Sequence, residues 1–389
     1  MTDHSTRKHA LLSPSAAHRW LNCTPSAKLE EQFPDTTSEA AAEGTLAHEI
    51  CEAKLRHHFY TREFNRKAYN ARIKELKADK LYQPEMDGYT TDYKDFIHKA
   101  ALRFEHTPHV IIESRLDMSD YVPECFGTAD CILIGGGTMH VIDFKYGKGV
   151  PVSADHNEQL MLYALGAFAR YSLIYDIENV IMSIVQPRID NNNSWECSID
   201  ELLAFGDSIR PLAQNAINGT GEFKSGDWCK FCRARYQCRE RANKNVQLAF
   251  MTDQHPVLLT NDEIGQYLTM GEDVASWLSD LQEFALKESL AGHKIAGWKA
   301  VEGRGSREWT DQDEAFSILQ DNGINEALLW ERKPLSLAQT EKLVGKKDFN
   351  DWVGDHVIKK PGKPTLVKDS DKREAITNKV TAKEVFKED

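Results

Sequence analysis

Asp130, Asp143 and Lys145 stand inside two apolar runs, CFGTADCILI (125–134) and TMHVIDFKY (138–146), where a buried strand has no use for charge. The three glycines at 135–137 between the runs predict a tight turn and an antiparallel hairpin. With the turn centred between Gly136 and Gly137, position 130 faces position 143, and opposed side chains share one face of a sheet. Lys145, two residues beyond Asp143, points the same way. Two carboxylates held close together raise each other's pKa unless a cation lies between them. Oxygen ligands of this kind suit Mg²⁺ or Mn²⁺. A lysine beside such an ion can orient or deprotonate a water, or offset charge developing on a phosphate. From hairpin spacing alone, a salt bridge on a half-exposed sheet face is the chemically idle alternative.

A second constellation is built from sulfur. The eight cysteines lie at 23, 51, 125, 131, 197, 229, 232 and 238, and WCKFCRARYQC has the form C-x2-C-x5-C. Three thiols that close together usually bind a metal or a cluster, and they need a fourth ligand. Cys23 is the candidate, because SPSAAHRWLNCTPS reads as a short helix carrying Trp20 ahead of a cysteine and a turn. Cys51, Cys125, Cys131 and Cys197 sit in apolar or strand contexts and read as small hydrophobes.

The order of these parts resembles the PD-(D/E)XK nuclease superfamily, in Gly127-Thr128-Ala129-Asp130 and Asp143-Phe144-Lys145. Gln159 and Tyr163 on a following helix match the QxxxY pattern of its RecB-like branch, and being four apart they share one helix face. In EGTLAHEICEAKL, His48 four residues after Gly44 looks like the RecB-like histidine motif. The proline common before the first aspartate is missing here.

The resemblance implies a restriction-endonuclease-like α/β core whose metal is held by His48, Asp130, Asp143 and the Phe144 carbonyl. Glu113, in VIIESRL, is a further acidic candidate. It implies that Lys145 positions the attacking water and that Gln159 and Tyr163 orient the site or substrate, with Lys148 and Tyr163 as substrate contacts. Cys23, Cys229, Cys232 and Cys238 match the split iron–sulfur motif of AddB-type and CRISPR-associated RecB-like nucleases, which implies a [4Fe–4S] cluster joining both ends of the core. Zinc is the rival occupant, since four thiolates suit it. Structural zinc more often uses two CxxC-like pairs close in sequence than one distant cysteine and a triplet.

The elements that must position these groups follow from periodicity. Residues 36–58 read as a helix, 64–105 as helical and highly charged, and 110–116, 125–134, 138–146 and 179–187 as strands. Helices are expected over about 156–171 and 199–217. This is an α/β order with a β-meander at its centre, giving a central mixed sheet flanked by helices.

The domains expected are 1–240 for the nuclease core with its cluster, 241–291 as a helical connector, and 292–389 as a C-terminal α+β or helical region. Ile264, Leu268, Val274, Leu278, Leu281 and Leu286 predict one or two amphipathic helices in the connector. GWKAVEGRGSREWTD (297–311) has the texture of a base-stacking, phosphate-contacting segment, or of a hairpin whose tryptophans are core.

With 389 residues, 41% apolar and 28% charged, the chain is of globular class. No apolar run is long enough for a membrane helix and the polar start lacks a signal peptide's apolar core, so a cytoplasmic protein with no membrane partner is expected. A net charge of −12 argues against a molecule coated with nucleic acid. Over 342–387, however, 12 basic residues face 7 acidic ones. Lys359, Lys360, Lys363, Lys368 and Lys372 give the tail a local capacity for phosphate.

The resemblance thus implies a phage or prophage protein in a bacterial host cell. It would be a Mg²⁺- or Mn²⁺-dependent DNA exonuclease of recombination or end processing, partnered by DNA and by a phage recombinase, annealing protein or helicase. The other class of function is a catalytically silent DNA-binding scaffold.

Overall fold

The computed structural model describes residues 10–34, 39–247, 260–301, 311–321, 325–326, 329 and 336–357. It divides into two compact units, Met1–Val301 and Glu302–Asp389. The tail lysines from Lys359 onward lie outside the described residues, as do positions 302–310 of the aromatic and basic segment.

Five strands form one mixed sheet in chain order: β1 (His109–Asp117), β2 (Phe126–Gly135), β3 (Thr138–Phe144), β4 (Asn179–Gln186) and β5 (Asn191–Ser198). Neighbours are antiparallel except β3 and β4, which run parallel. The β2–β3 turn has the expected register. Gly135 pairs with Thr138 and Cys131 with Ile142, while Gly136 and Gly137 take φ of 52° and 73°, the left-handed conformation such a turn requires.

Helices cover both faces. α1 (Ala17–Asn22) and α2 (Ser26–Glu30) precede α3 (Glu39–Phe59), α4 (Arg66–Leu76) and α5 (Met86–Ala101). On one side α3 and α5 bury Ile50, Leu55, Tyr93 and Ile97 against Ile112, Cys131, Leu133, Ile142 and Phe144. On the other side α6 (Glu158–Tyr171) and α7 (Ile199–Asn218) bury Leu160, Leu162, Leu165 and Ile209 against Ile111, Ile132, Val141, Met182 and Ile184. The alternating side chains of the central strands therefore feed two cores, which is why these strands read as continuous apolar runs.

Two local expectations change. The charged stretch 64–105 is two helices: α4 is opened by the Asn65 cap, whose side chain accepts from Lys67 and Ala68 N–H, and a turn containing Pro84 parts it from α5. Strand β5 was not anticipated: NNNSWECS is polar and Asn is a poor strand former, but the segment is an edge strand paired along its whole length with β4.

α8 (Arg239–Gln247) and α9 (Asn261–Leu290) complete the first unit. α9 is one helix, opened by a Thr260/Glu263 capping box. Trp298, beyond its end, is 68% exposed and is not a core residue. The second unit contains α10 (Gln312–Asp321), α11 (Leu337–Val344) and α12 (Lys346–Val353). Among the described residues no helix is long and apolar enough to cross a membrane.

Candidate functional site

The site begins as a fault in the sheet. Ile112 pairs with Cys131 and Ser114 with Ala129, but Glu113 and Asp130 between them leave the ladder, and Glu113 takes φ of 50°. On β2, Cys131 and Leu133 face α3, whereas Ala129 belongs to the α6 core. On β1, Ile112 faces α3 and Leu116 the α6 core. The alternation of faces thus inverts in both strands at the same point, and both carboxylates turn toward α3.

His48 meets them there. Its Nδ1 lies 3.2 Å from Asp130 Oδ1, its ring packs edge-on against Phe144, and one ligand atom each from His48, Glu113 and Asp130 falls within 4.8 Å of the others. Asp130 Oδ2 accepts the Phe144 N–H at 2.7 Å, just past the last β2–β3 pair, Cys131 with Ile142. Asp130 therefore occupies the fork where β2 leaves β3.

Asp143 and Lys145 project to the other side, toward α6. Lys145 Nζ is 3.0 Å from Asp143 Oδ2 and donates to Gln159 Oε1 at 2.9 Å. Gln159 Nε2 donates to Asp143 Oδ1 at 3.3 Å and to Tyr163 Oη at 3.4 Å. The expectation of one shared face thus holds for Asp143 and Lys145. Asp130 is corrected by the inversion in β2, and the two carboxylates approach the fork from opposite sides. Gln159 and Tyr163 sit where their spacing put them, on one face of a helix capped by Asn157. Gly127 lets the Tyr163 ring come close: a Cβ there would lie 2.9 Å from Tyr163 Cε1.

The electrostatics show a cluster short of positive charge. Burial opposes a charge on His48, but Asp130 foremost, then Asp143 and Glu113, raise it to about 9. Burial and the Asp130 charge push Glu113 up to about 8. Burial raises Asp143 against the pull of Lys145, with the Asp130 charge adding to the rise. Asp130 is itself desolvated, yet His48, the Phe144 N–H and Lys145 hold it below the usual carboxylate range. Asp143 Oδ2 is buried, with the Lys145 ammonium 3.0 Å away as its partner. Buried acids that raise one another beside an imidazole are a donor set that a divalent cation fits.

Lys148 is exposed in the loop after β3, outside this hydrogen-bonded group. That loop is tied down by a residue sequence reading missed. Gln186, almost fully buried at the end of β4, donates to Gly147 and Val150 carbonyls at 2.6 and 2.9 Å and accepts from Val152 N–H at 3.2 Å. An amide closing an otherwise apolar run was its only signal.

The four cysteines also come together. Cys23, Cys229, Cys232 and Cys238 line one small cavity with Arg19, Arg235 and Arg241. Cys23 follows α1, anchored by buried Trp20, whose indole donates to Ser13 O at 3.1 Å. Backbone N–H groups of Lys224 and Gly226 point at Cys23 and Cys229 Sγ, each at 3.5 Å. Glu30, 3% exposed, binds Arg19 at 2.8 Å and the Arg233 N–H at 2.7 Å, fastening the N-terminal segment to the cysteine loop. Burial raises the Cys23 thiol and, with the Glu30 charge, pushes Cys232 up to about 12. Cys51, Cys125, Cys131 and Cys197 are buried elsewhere.

Four thiols gathered in this way are a donor set that suits either zinc or an iron–sulfur cluster. Among the described residues, the only group of three or more metal-ligating side chains within 4.8 Å of one another is His48, Glu113 and Asp130.

Among solved structures, the protein of "Crystal structure of SSO0001" matches 58% of this chain and 96% of its own at 19% identity. The TM-score of 0.22 is too low to bear on the fold. Residues 9–374 match the family described as "Protein of unknown function (DUF2800)", and the chain belongs to that family.

Proposed function

We propose that this protein is a metal-dependent deoxyribonuclease of PD-(D/E)XK type that hydrolyses phosphodiester bonds in DNA, as an exonuclease of phage recombination or end processing. One observation carries the reading. At the fork between β2 and β3, the His48, Glu113 and Asp130 cluster meets the Asp143, Lys145 and Gln159 group, with the Phe144 N–H bound to Asp130 between them.

His48, Glu113, Asp130 and Asp143, with the Phe144 carbonyl, would hold Mg²⁺ or Mn²⁺, which when bound supplies Lewis acidity toward a phosphate oxygen. The chain's own groups do the rest. Gln159 fixes the Lys145 ammonium, which is then placed to hold a proton or to offset charge developing on the phosphate. Tyr163 backs Gln159 from the core side. Cys23, Cys229, Cys232 and Cys238 would hold a [4Fe–4S] cluster as a staple between chain segments far apart in sequence, a role for which their gathering around one small cavity and the N–H groups aimed at two sulfurs speak.

Purified protein with Mn²⁺ or Mg²⁺ should degrade linear DNA, and Asp143→Ala or Lys145→Ala should abolish this in a folded chain. Equal activity in both variants would assign the cleavage to a contaminant and sink the proposal.

A further inference from the structure

Where α3 lies over the sheet suggests where a strand could approach this site. α3 crosses its face of the sheet obliquely. Near its end the Tyr60 hydroxyl binds the Val110 carbonyl of β1, and near its start Glu43 lies 3.6 Å from Arg188, just past β4. The last residues of β1 and the first of β2 extend beyond it. From Ser114 onward β1 alternates regularly, so Arg115 faces the same side as Glu113. Its direct partner Thr128 stands two residues from Asp130 on β2.

Arg115 and Thr128 are exposed, and the Arg115 guanidinium carbon lies over the Phe126 ring, 4.2 Å from its centroid. A stacked guanidinium keeps its five donors in its own plane, free to meet phosphate oxygens, and the ring limits its rotamers. A cavity of about 530 Å³ adjoins it, lined also by Arg170, Asp117, Ser119 and Glu124. Arg170 donates to the Arg115 carbonyl at 2.9 Å, and Asp117 accepts its own turn's Ser119 N–H at 2.8 Å. A second cation thus stands at the arm, while Asp117 is engaged within its turn.

We propose that the end of the β1–β2 arm is where the substrate strand rests, with Arg115, stacked on Phe126, holding a backbone phosphate roughly two residues along the strands, about 7 Å, from the acidic cluster. The inference rests on the nuclease reading of the site. It makes Arg115 a substrate-positioning residue whose contact is sequence-independent, because phosphate carries no base identity.

The test measures binding of a fluorescently labelled single-stranded DNA oligonucleotide to the full-length protein in Ca²⁺ at several salt concentrations, and cleavage of the same oligonucleotide in Mn²⁺. Arg115→Gln should weaken binding about three- to tenfold and lower the salt slope by about one. At saturating DNA, kcat should stay within about twofold, and Mn²⁺ binding by calorimetry should be unchanged. Thr128→Glu, which leaves Arg115 in place but sets a negative charge beside it, should weaken binding in the same direction. If both variants bind as the wild type does while cleavage persists, the arm is not the strand's seat and the nuclease reading survives. Loss of Mn²⁺ binding along with DNA binding would assign Arg115 to maintaining the metal cluster, and overturns the inference. A wild type that neither binds nor cleaves the oligonucleotide overturns both.

Discussion

Glu113 and Asp130 lie across from each other as the one pair that the β1–β2 register passes over, with regular pairing on either side. No residue is inserted. The ladder resumes in the same register, and what changes is the face to which each strand turns its side chains. A left-handed φ at a non-glycine residue within a strand costs on the order of 1–3 kcal/mol and persists only where surrounding structure imposes it. Here that cost brings two acids to His48 on one side of the sheet.

The strain gives a first prediction. Glu113→Gly relieves the left-handed backbone and removes a crowded carboxylate, whereas Glu113→Ala removes only the carboxylate. By thermal or urea unfolding, the glycine variant should be more stable than the alanine variant by about 1 kcal/mol. Both should bind Mn²⁺ at least about tenfold more weakly than the wild type. A glycine variant less stable than the alanine variant would show that the conformation is not strained.

Metal binding and turnover should separate at the fork. Asp130→Asn removes a ligand and should weaken Mn²⁺ binding together with cleavage. Lys145→Met should leave Mn²⁺ affinity near wild type while lowering kcat by about 10²–10⁴, the range for a positioned proton-transfer group. Calorimetric titration with Mn²⁺ beside single-turnover cleavage distinguishes the two, and equal loss of both properties in both variants would contradict this division of roles.

For the cysteine site, anaerobically prepared protein should be brown and contain about four irons per chain. Cys229→Ser or Cys232→Ser should bleach it and lower the unfolding temperature, since the staple closes a long loop between Cys23 and the triplet. One zinc and no iron in the same metal analysis would overturn the assignment.

The sequence made some of this visible for identifiable reasons. Three glycines between two apolar runs leave few alternatives to the β2–β3 hairpin, and the Gln159/Tyr163 spacing fixes one helix face wherever the helix lies. Glu113 was readable only as a further acidic candidate; the inversion of faces at 113 and 130 that turns it toward His48 is imposed by α3 and the two cores and has no local signature. β5 was hidden too: its asparagines serve the site's framework, Asn191 and Asn193 donating to the Val152 carbonyl at 2.9 and 3.0 Å, so its composition reads as loop.

Gly127 tests the contact between β2 and α6. A methyl group there would lie 2.9 Å from Tyr163 Cε1 and 3.1 Å from Pro14 Cγ, so Gly127→Ala must displace the buried ring. Overpacking of this kind costs about 1–3 kcal/mol. The variant should unfold earlier and cleave more slowly, because Tyr163 backs Gln159. Combined with Tyr163→Leu, the stability losses should sum to less than the two single losses, as expected of residues in direct contact. Strict additivity would mean that the two do not meet.

His140 gives a pH signature away from the acidic cluster. Its imidazole is 5% exposed, and Nε2 lies 2.7 Å from Ser183 Oγ, which in turn is 2.6 Å from Ser194 Oγ, so one short polar chain crosses β3, β4 and β5. Burial, and secondarily the Arg103 charge, lower it from 6.5 to about 4. Between those values the unfolded chain takes up a proton that the folded chain refuses, so stability rises with pH across the window. The contribution is complete above about pH 6.5 and is lost as pH falls through about 4, amounting to about 3 kcal/mol. His140→Gln retains a partner for Ser183 and cannot titrate. The stability advantage of wild type over this variant, read from urea midpoints, should therefore shrink by about that amount between about pH 7 and about pH 4. A difference that does not vary with pH would show that His140 is protonated as readily in the folded chain as in the unfolded one.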